Sequence, residues 1–296
     1  EKRTFVNTLE KIDDIYAAIE TVWSPGYLMS STHTDETIRD EGLESSRKIE
    51  KYITDLSLNK DLYNAVLDYS RTKGGQQLEG YKKKYLDDTI RDFRRSGLAL
   101  SDEKREKVKA LFNDLSDLGL AFSKNIADYQ DTLFLSEDEM EGLPEVYKIE
   151  RHQKDGRYAV DLSYPSIGPY FKLAESDKSR KELRFRYNNR AKESNLEILD
   201  NIIRKRNQLA AMLGYRSYAE YRTEDRMAKN PENVWSFEKD LIAKVRKKAE
   251  ADVNIMLTIK SDRDGNVATT IDPWEAAYYE NLVLKKNFNL DSEEVK

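Results

Sequence analysis

The sequence contains no cysteine at all. That single absence excludes disulfide frameworks, thiolate nucleophiles, zinc ribbons and iron–sulfur clusters together. Histidine is almost as scarce, with only His33 and His152. The two lie far apart, so no His-Glu-x-x-His run and no imidazole pair at helical spacing exists. A hydrolytic zinc site takes typically three protein ligands, and two histidines this distant do not start one. No apolar run approaches the ~18 residues a membrane span needs. Phosphate cradles of the Gly-x-x-x-x-Gly-Lys and Gly-x-Gly-x-x-Gly types are missing, as is the Gly-x-Ser-x-Gly elbow of serine hydrolases.

What the chain has instead is charge and tyrosine. Over 296 residues, 50 Lys plus Arg face 55 Asp plus Glu, for a net charge of −5. Eighteen tyrosines, nine phenylalanines and three tryptophans supply material for a core. Basic runs occur at Lys82-Lys83-Lys84, Arg94-Arg95, Arg204-Lys205-Arg206 and Arg246-Lys247-Lys248. Acids surround each, and the overall charge is negative, so they read as salt-bridged helix faces and not as a nucleic-acid stripe. Acid pairs such as Asp13-Asp14 and Asp87-Asp88 read as solvated faces for the same reason.

The loop Asp262-Arg263-Asp264-Gly265-Asn266 invites comparison with a calcium loop. Aligning Gly265 with that loop's glycine puts Lys260 at the first carboxylate position and Ile271 at the bidentate one, so it reads as a plain turn. His33, in Ser30-Ser31-Thr32-His33-Thr34-Asp35, and His152, beside a turn, read as turn residues.

Most segments carry a helical period. After Ser101, apolar residues recur at Val108, Leu111, Leu115, Leu118, Phe122 and Ile126, predicting a helix of about 28 residues spanning ~42 Å. A first helix through Phe5, Leu9, Ile12 and Ile19 is expected to stop before Ser24-Pro25-Gly26. Others are expected around Leu43–Ile53 and Leu62–Tyr69, the latter stopped by Gly74-Gly75. From Leu183 to Leu209 two helices are expected, interrupted near Glu193-Ser194-Asn195. Pro231 is placed like the first residue of a helix, and Asp272-Pro273 repeats the arrangement. Only Val146–Glu150 and Tyr158–Leu162 alternate with period two, and Asp155-Gly156 between them predicts one β-hairpin. The fold class is therefore mainly α, an elongated multi-helix architecture with one small β-hairpin. The expected divisions are 1–142, 143–268 and 269–296.

Asp291 followed by Glu294 has the form of a helix cap, and the expectation is that the chain is a fragment of something longer. A fragment should expose apolar surface and associate readily.

Several strings go beyond periodicity. They include Thr4–Leu9, Arg91-Asp92-Phe93, Gly97–Ser101, Leu115–Leu118 with Phe122–Asn125, Leu143-Pro144, and Leu162–Pro165. Further on come Tyr187–Arg190 with Asn195 and Leu199, then Leu213–Tyr221, Met227–Glu232 and Asp272–Tyr279. In this order they resemble the thimet oligopeptidase family of zinc metallopeptidases, which includes oligopeptidase A and the bacterial peptidyl-dipeptidase.

The resemblance implies a two-lobed, channel-containing parent. Its zinc is held by two His and a Glu of a downstream His-Glu-x-x-His segment, and its substrates are short peptides. That segment is not in this sequence. No catalytic, substrate-binding or metal residue is therefore assigned to any position here, and no zinc is expected in this chain alone, which is expected to be inactive. The expected partners are peptides and the parent's own carboxy-terminal half, with no nucleic acid and no membrane, in the cytoplasm. The alternative is a helical peptide- or protein-binding module without catalysis.

Overall fold

A computed structural model describes residues 2–290. In chain order the helices are α1 (Phe5–Thr32), α2 (Glu36–Ser57), α3 (Lys60–Ser70), α4 (Lys73–Gln76), α5 (Gly80–Phe93) and α6 (Asp102–Ala127). Strand β1 (Thr132–Leu135), helix α7 (Glu145–Arg151) and strand β2 (Tyr158–Asp161) follow. The remainder is α8 (Tyr164–Leu173), α9 (Asp177–Asn188), α10 (Lys192–Met212), α11 (Tyr218–Thr223), α12 (Pro231–Asp264) and α13 (Ala276–Phe288). The protein is mainly α, with one two-stranded antiparallel sheet among the described residues. The expected helix start at Asp291 lies outside them.

The chain forms two compact units, one of residues 1–127 and 193–231, the other of 128–192 and 232–296. In the first, α1 opens with a capping box: Asn7 N–H donates to Thr4 Oγ1 at 3.1 Å and Thr4 N–H to Asn7 Oδ1 at 2.8 Å. Leu9 and Ile12 then enter a core with Val66, Leu86 and Phe93. The helix does not stop at Pro25, as the sequence led us to expect, but runs through it to Thr32. Proline costs a backbone hydrogen bond there. Close packing on α2 offsets it: a Cβ at Gly42 would fall 2.6 Å from the Gly26 carbonyl oxygen. Gly74 and Gly75 likewise lie within α4, and α3 ends earlier, at Ser70.

A second core patch joins α6 to α10 through Val108, Leu111 and Leu209. The break before α10 falls at Asn189–Ala191, with Ala191 at φ 53°, and not near Glu193–Asn195. Asn195 belongs inside the helix because its buried amide ties α10 to α6: it donates to the Phe122 carbonyl at 3.0 Å and accepts from Asn125 at 2.9 Å.

In the second unit the small sheet pairs β1 with β2, Leu133 opposite Val160 and Leu135 opposite Tyr158. The first strand is thus not Val146–Glu150, which is helical in α7. Five residues of period two also fit one helical turn, and Pro144 at the cap favours the helix. Within α7 only Tyr147 is buried, donating to the Ser166 carbonyl at 2.7 Å, while Val146 and Ile149 face solvent. The turn before β2 is as read, with Gly156 at φ 83°. Gly142 is required at its turn, since a Cβ would meet the Leu173 carbonyl oxygen at 2.3 Å.

Candidate functional site

Two polar clusters, one in each unit, assemble the sequence strings noted above. In the first unit, a wider helical turn at Arg94–Leu98 follows α5 and presents Arg95 to the segment that runs from Leu213 into α11. Arg95 is ion-paired with Glu224 and lies 3.5 Å from Asp225. It also donates to the Tyr215 hydroxyl at 3.3 Å and to the Tyr221 carbonyl. Its guanidinium sits 4.7 Å from the Tyr221 ring centre and 5.8 Å from that of Tyr215, cation–π distances that add to the ionic grip. Burial, together with its hydrogen bond to Glu224, pushes the Tyr215 phenol up to about 12. Ser217 caps α11 by accepting from Glu220 N–H at 3.1 Å.

An open cavity of about 550 Å³ borders this cluster, walled also by Asp87, Arg91 and Arg94. Arg91 is bound to Asp88 and Asp92, and Arg94 donates to the Tyr63 hydroxyl at 3.2 Å. The arrangement clamps α5 and α11 together. Its hydroxyl–carboxylate pair, Tyr215 on Glu224 at 2.6 Å, is held by Arg95.

The second cluster is centred on Glu175. Its carboxylate accepts from the Tyr278 hydroxyl at 2.8 Å and is ion-paired with Arg263. Burial alone would raise the Glu175 pKa. The hydrogen bonds from Arg263 and Tyr278, with the charges of Arg263 and Arg180, outweigh it and leave the carboxyl below its ordinary value of 4.5. Arg180, almost wholly buried, donates to the carbonyls of Ala174 and Glu175 and to Asp177, and stacks 4.1 Å from the Tyr278 ring centre. Lys260 pairs with the buried Glu275 at 2.6 Å, and Glu275 also accepts from Asp272 N–H at 2.8 Å. Trp274 donates to Asp177 at 3.0 Å. The string Asp272–Tyr279 is thus the lock that fixes α13 and the end of α12 against α8 and α9.

His33 caps the end of α1, where its Nδ1 accepts from Asp35 N–H at 3.0 Å. His152 ends α7, its ring edge-on to Tyr158 at 5.2 Å. Asp264 and Gly265, at φ 67°, close α12 in a turn. Among the described residues no group of three or more His, Asp or Glu side chains is placed to hold a metal ion. The described residues do not fit a zinc centre, and no chemical step is assigned to them.

Opposite in character is the middle of α12. None of its residues is buried, and Phe237, Leu241 and Val245 are exposed although spaced four apart as one apolar face. Sequence reasoning read Arg94-Arg95 only as a charged surface run. The available signal was the set of nearby tyrosines at 215, 218 and 221, which makes a desolvated wall that needs a cation.

The family model for peptidase family M3 matches residues 170–296. The chain is 30% identical over 310 residues to the Thimet-like oligopeptidase of Dictyostelium discoideum, covering 100% of this chain and 46% of that protein. Saccharolysin of Saccharomyces cerevisiae is 29% identical, over 88% of this chain and 38% of its own length. Oligopeptidase A of Salmonella typhimurium is 26% identical, over 97% and 44% respectively. The chain spans less than half the length of these relatives. The resemblance read from the motif strings is therefore borne out: the chain is similar along its length to these oligopeptidases, and over residues 170–296 to peptidase family M3.

Proposed function

We propose that these residues are the amino-terminal, channel-forming part of a zinc-dependent oligopeptidase that hydrolyses peptide bonds in short peptides, with the catalytic zinc segment in another part of the same protein. The observation that carries this reading is end-to-end relatedness to oligopeptidases about twice as long. The described residues supply packing, helix-to-helix clamps and paired charge, the properties of a wall that shapes a substrate path. In the complete enzyme, zinc on a His-Glu-x-x-His segment would lower the pKa of bound water, with the Glu as general base. The exposed apolar face of α12 is where the carboxy-terminal part packs, and the working compartment is the cytoplasm.

The reading frame that encodes residue 296 tests this. It is expected to continue into a His-Glu-x-x-His codon series, and co-expression of the two parts is expected to restore chelator-sensitive cleavage of a quenched-fluorescent peptide. A frame without that series, or a reconstituted protein without peptidase activity, would refute the proposal.

A further inference from the structure

Strand β1 has β2 as its one partner among the described residues, so its other edge is unpaired. The direction of its backbone groups follows from the neighbouring bridge. Tyr158 pairs with His152 on one side and Leu135 on the other, and Gln153 N–H donates to the Arg157 carbonyl at 2.7 Å. Along an antiparallel strand successive residues aim their N–H and C=O to alternate sides. Arg157 aims at the His152 side, so Tyr158 aims at β1, and Leu135 and Leu133 are its hydrogen-bonded positions. The N–H and C=O of Phe134 then point outward. Thr132 agrees, since its N–H donates to Asp131 at 2.7 Å and not to the opposite strand. The strand reads Thr-Leu-Phe-Leu, without the lysine, proline or bulge that usually guards an edge.

Beside this edge, within the same unit, runs an open groove of about 570 Å³ between β1 and α9. Lys178, Lys181, Glu182 and Phe185 line its α9 side. The acids there are already engaged: Glu182 accepts from Arg186 at 2.7 Å, and Glu139 from Ser136 N–H at 3.0 Å and Ser179 at 2.8 Å. The cations have no carboxylate within ion-pair distance among the described residues. Lys178 adds its charge to the hold that keeps the Glu139 carboxyl low, and Lys181 rests over the Trp274 ring at 4.6 Å. Phe185 is 59% exposed.

We propose that this groove binds a peptide in extended conformation, which adds to the outer edge of β1 as a third strand. Backbone groups of Phe134 supply the pairing, Lys178 and Lys181 select acidic side chains, and Phe185 receives an apolar one. The site binds without cleaving, so it stands independently of the peptidase reading.

Fluorescence anisotropy on the full 296-residue chain tests it, using a fluorescein-labelled octapeptide of alternating valine and glutamate. Saturable binding is expected, weakened about tenfold or more when lysine replaces glutamate in the peptide or in the Lys178→Glu/Lys181→Glu variant. N-methylation of alternate peptide amides is expected to weaken it similarly, and that arm leaves the protein's fold untouched. No saturable binding would overturn the proposal, as would equal binding of the methylated peptide or indifference to the charge reversal. A dimer that dissociates on Phe134→Pro, with no peptide bound, would assign the edge to a second copy and overturn it too.

Discussion

Helices α6 and α12 carry the same kind of sequence signal and meet opposite fates. Both are long, and both repeat apolar residues every three or four positions among charges. Helix α6 buries Val108, Leu111 and Leu120, whereas α12 buries nothing. Amphipathic periodicity states that a face requires a cover, and it does not state that the cover lies in the same stretch of chain. Helix α12 is anchored toward its end through Lys260 and Arg263 to Glu275 and Glu175.

The largest contrast is expected from paired truncations. Leu111→Ala should destabilise the first unit by about 2–5 kcal/mol, through lost burial and the cavity left behind. Leu241→Ala on α12 should change the stability of the 296-residue chain by less than about 0.5 kcal/mol. Thermal and denaturant melts of both variants decide this. Equal losses would mean that α12 is covered in solution.

A somewhat smaller effect is expected where α1 passes Pro25. Gly42→Ala should cost about 1–3 kcal/mol by overpacking, because the added carbon meets backbone and not a flexible side-chain end. If the melting curve is unchanged, close packing on α2 is not what carries the helix through the proline.

The smallest effect concerns the anchored end of α12. Glu175 has a depressed pKa in the folded protein, so its contribution is present above its ordinary value of 4.5 and is lost as pH falls through the folded one. Glu175→Gln is expected to lower stability at neutral pH and to flatten the loss of stability in acid. Melts from pH 7 to pH 3 check both signs, and an unchanged acid limb would remove Glu175 as the anchor.

Much of this architecture was legible from residues alone. The period after Ser101 located α6, Pro231 marked the first residue of α12, and Asp155-Gly156 marked the turn before β2. The motif strings pointed to the family. What stayed hidden depended on distant partners. Pro25 reads as a stop until Gly42 is known to lie against Gly26. Thr-Leu-Phe-Leu does not alternate, so the true strand partner was passed over for Val146–Glu150. The pairs Arg95–Glu224 and Arg263–Glu175 lie 129 and 88 residues apart, and an ion pair between helices leaves no local pattern. No catalytic residue was assigned to this sequence, and the clusters found here clamp helices together.

The most direct measurement is to purify the 296-residue chain with excess zinc, count bound metal by mass spectrometry, and assay it on a quenched-fluorescent peptide with and without chelator. A scaffold whose reactive centre lies elsewhere in the protein should hold no stoichiometric zinc and cleave nothing. One tightly held zinc per chain with chelator-sensitive cleavage would contradict it.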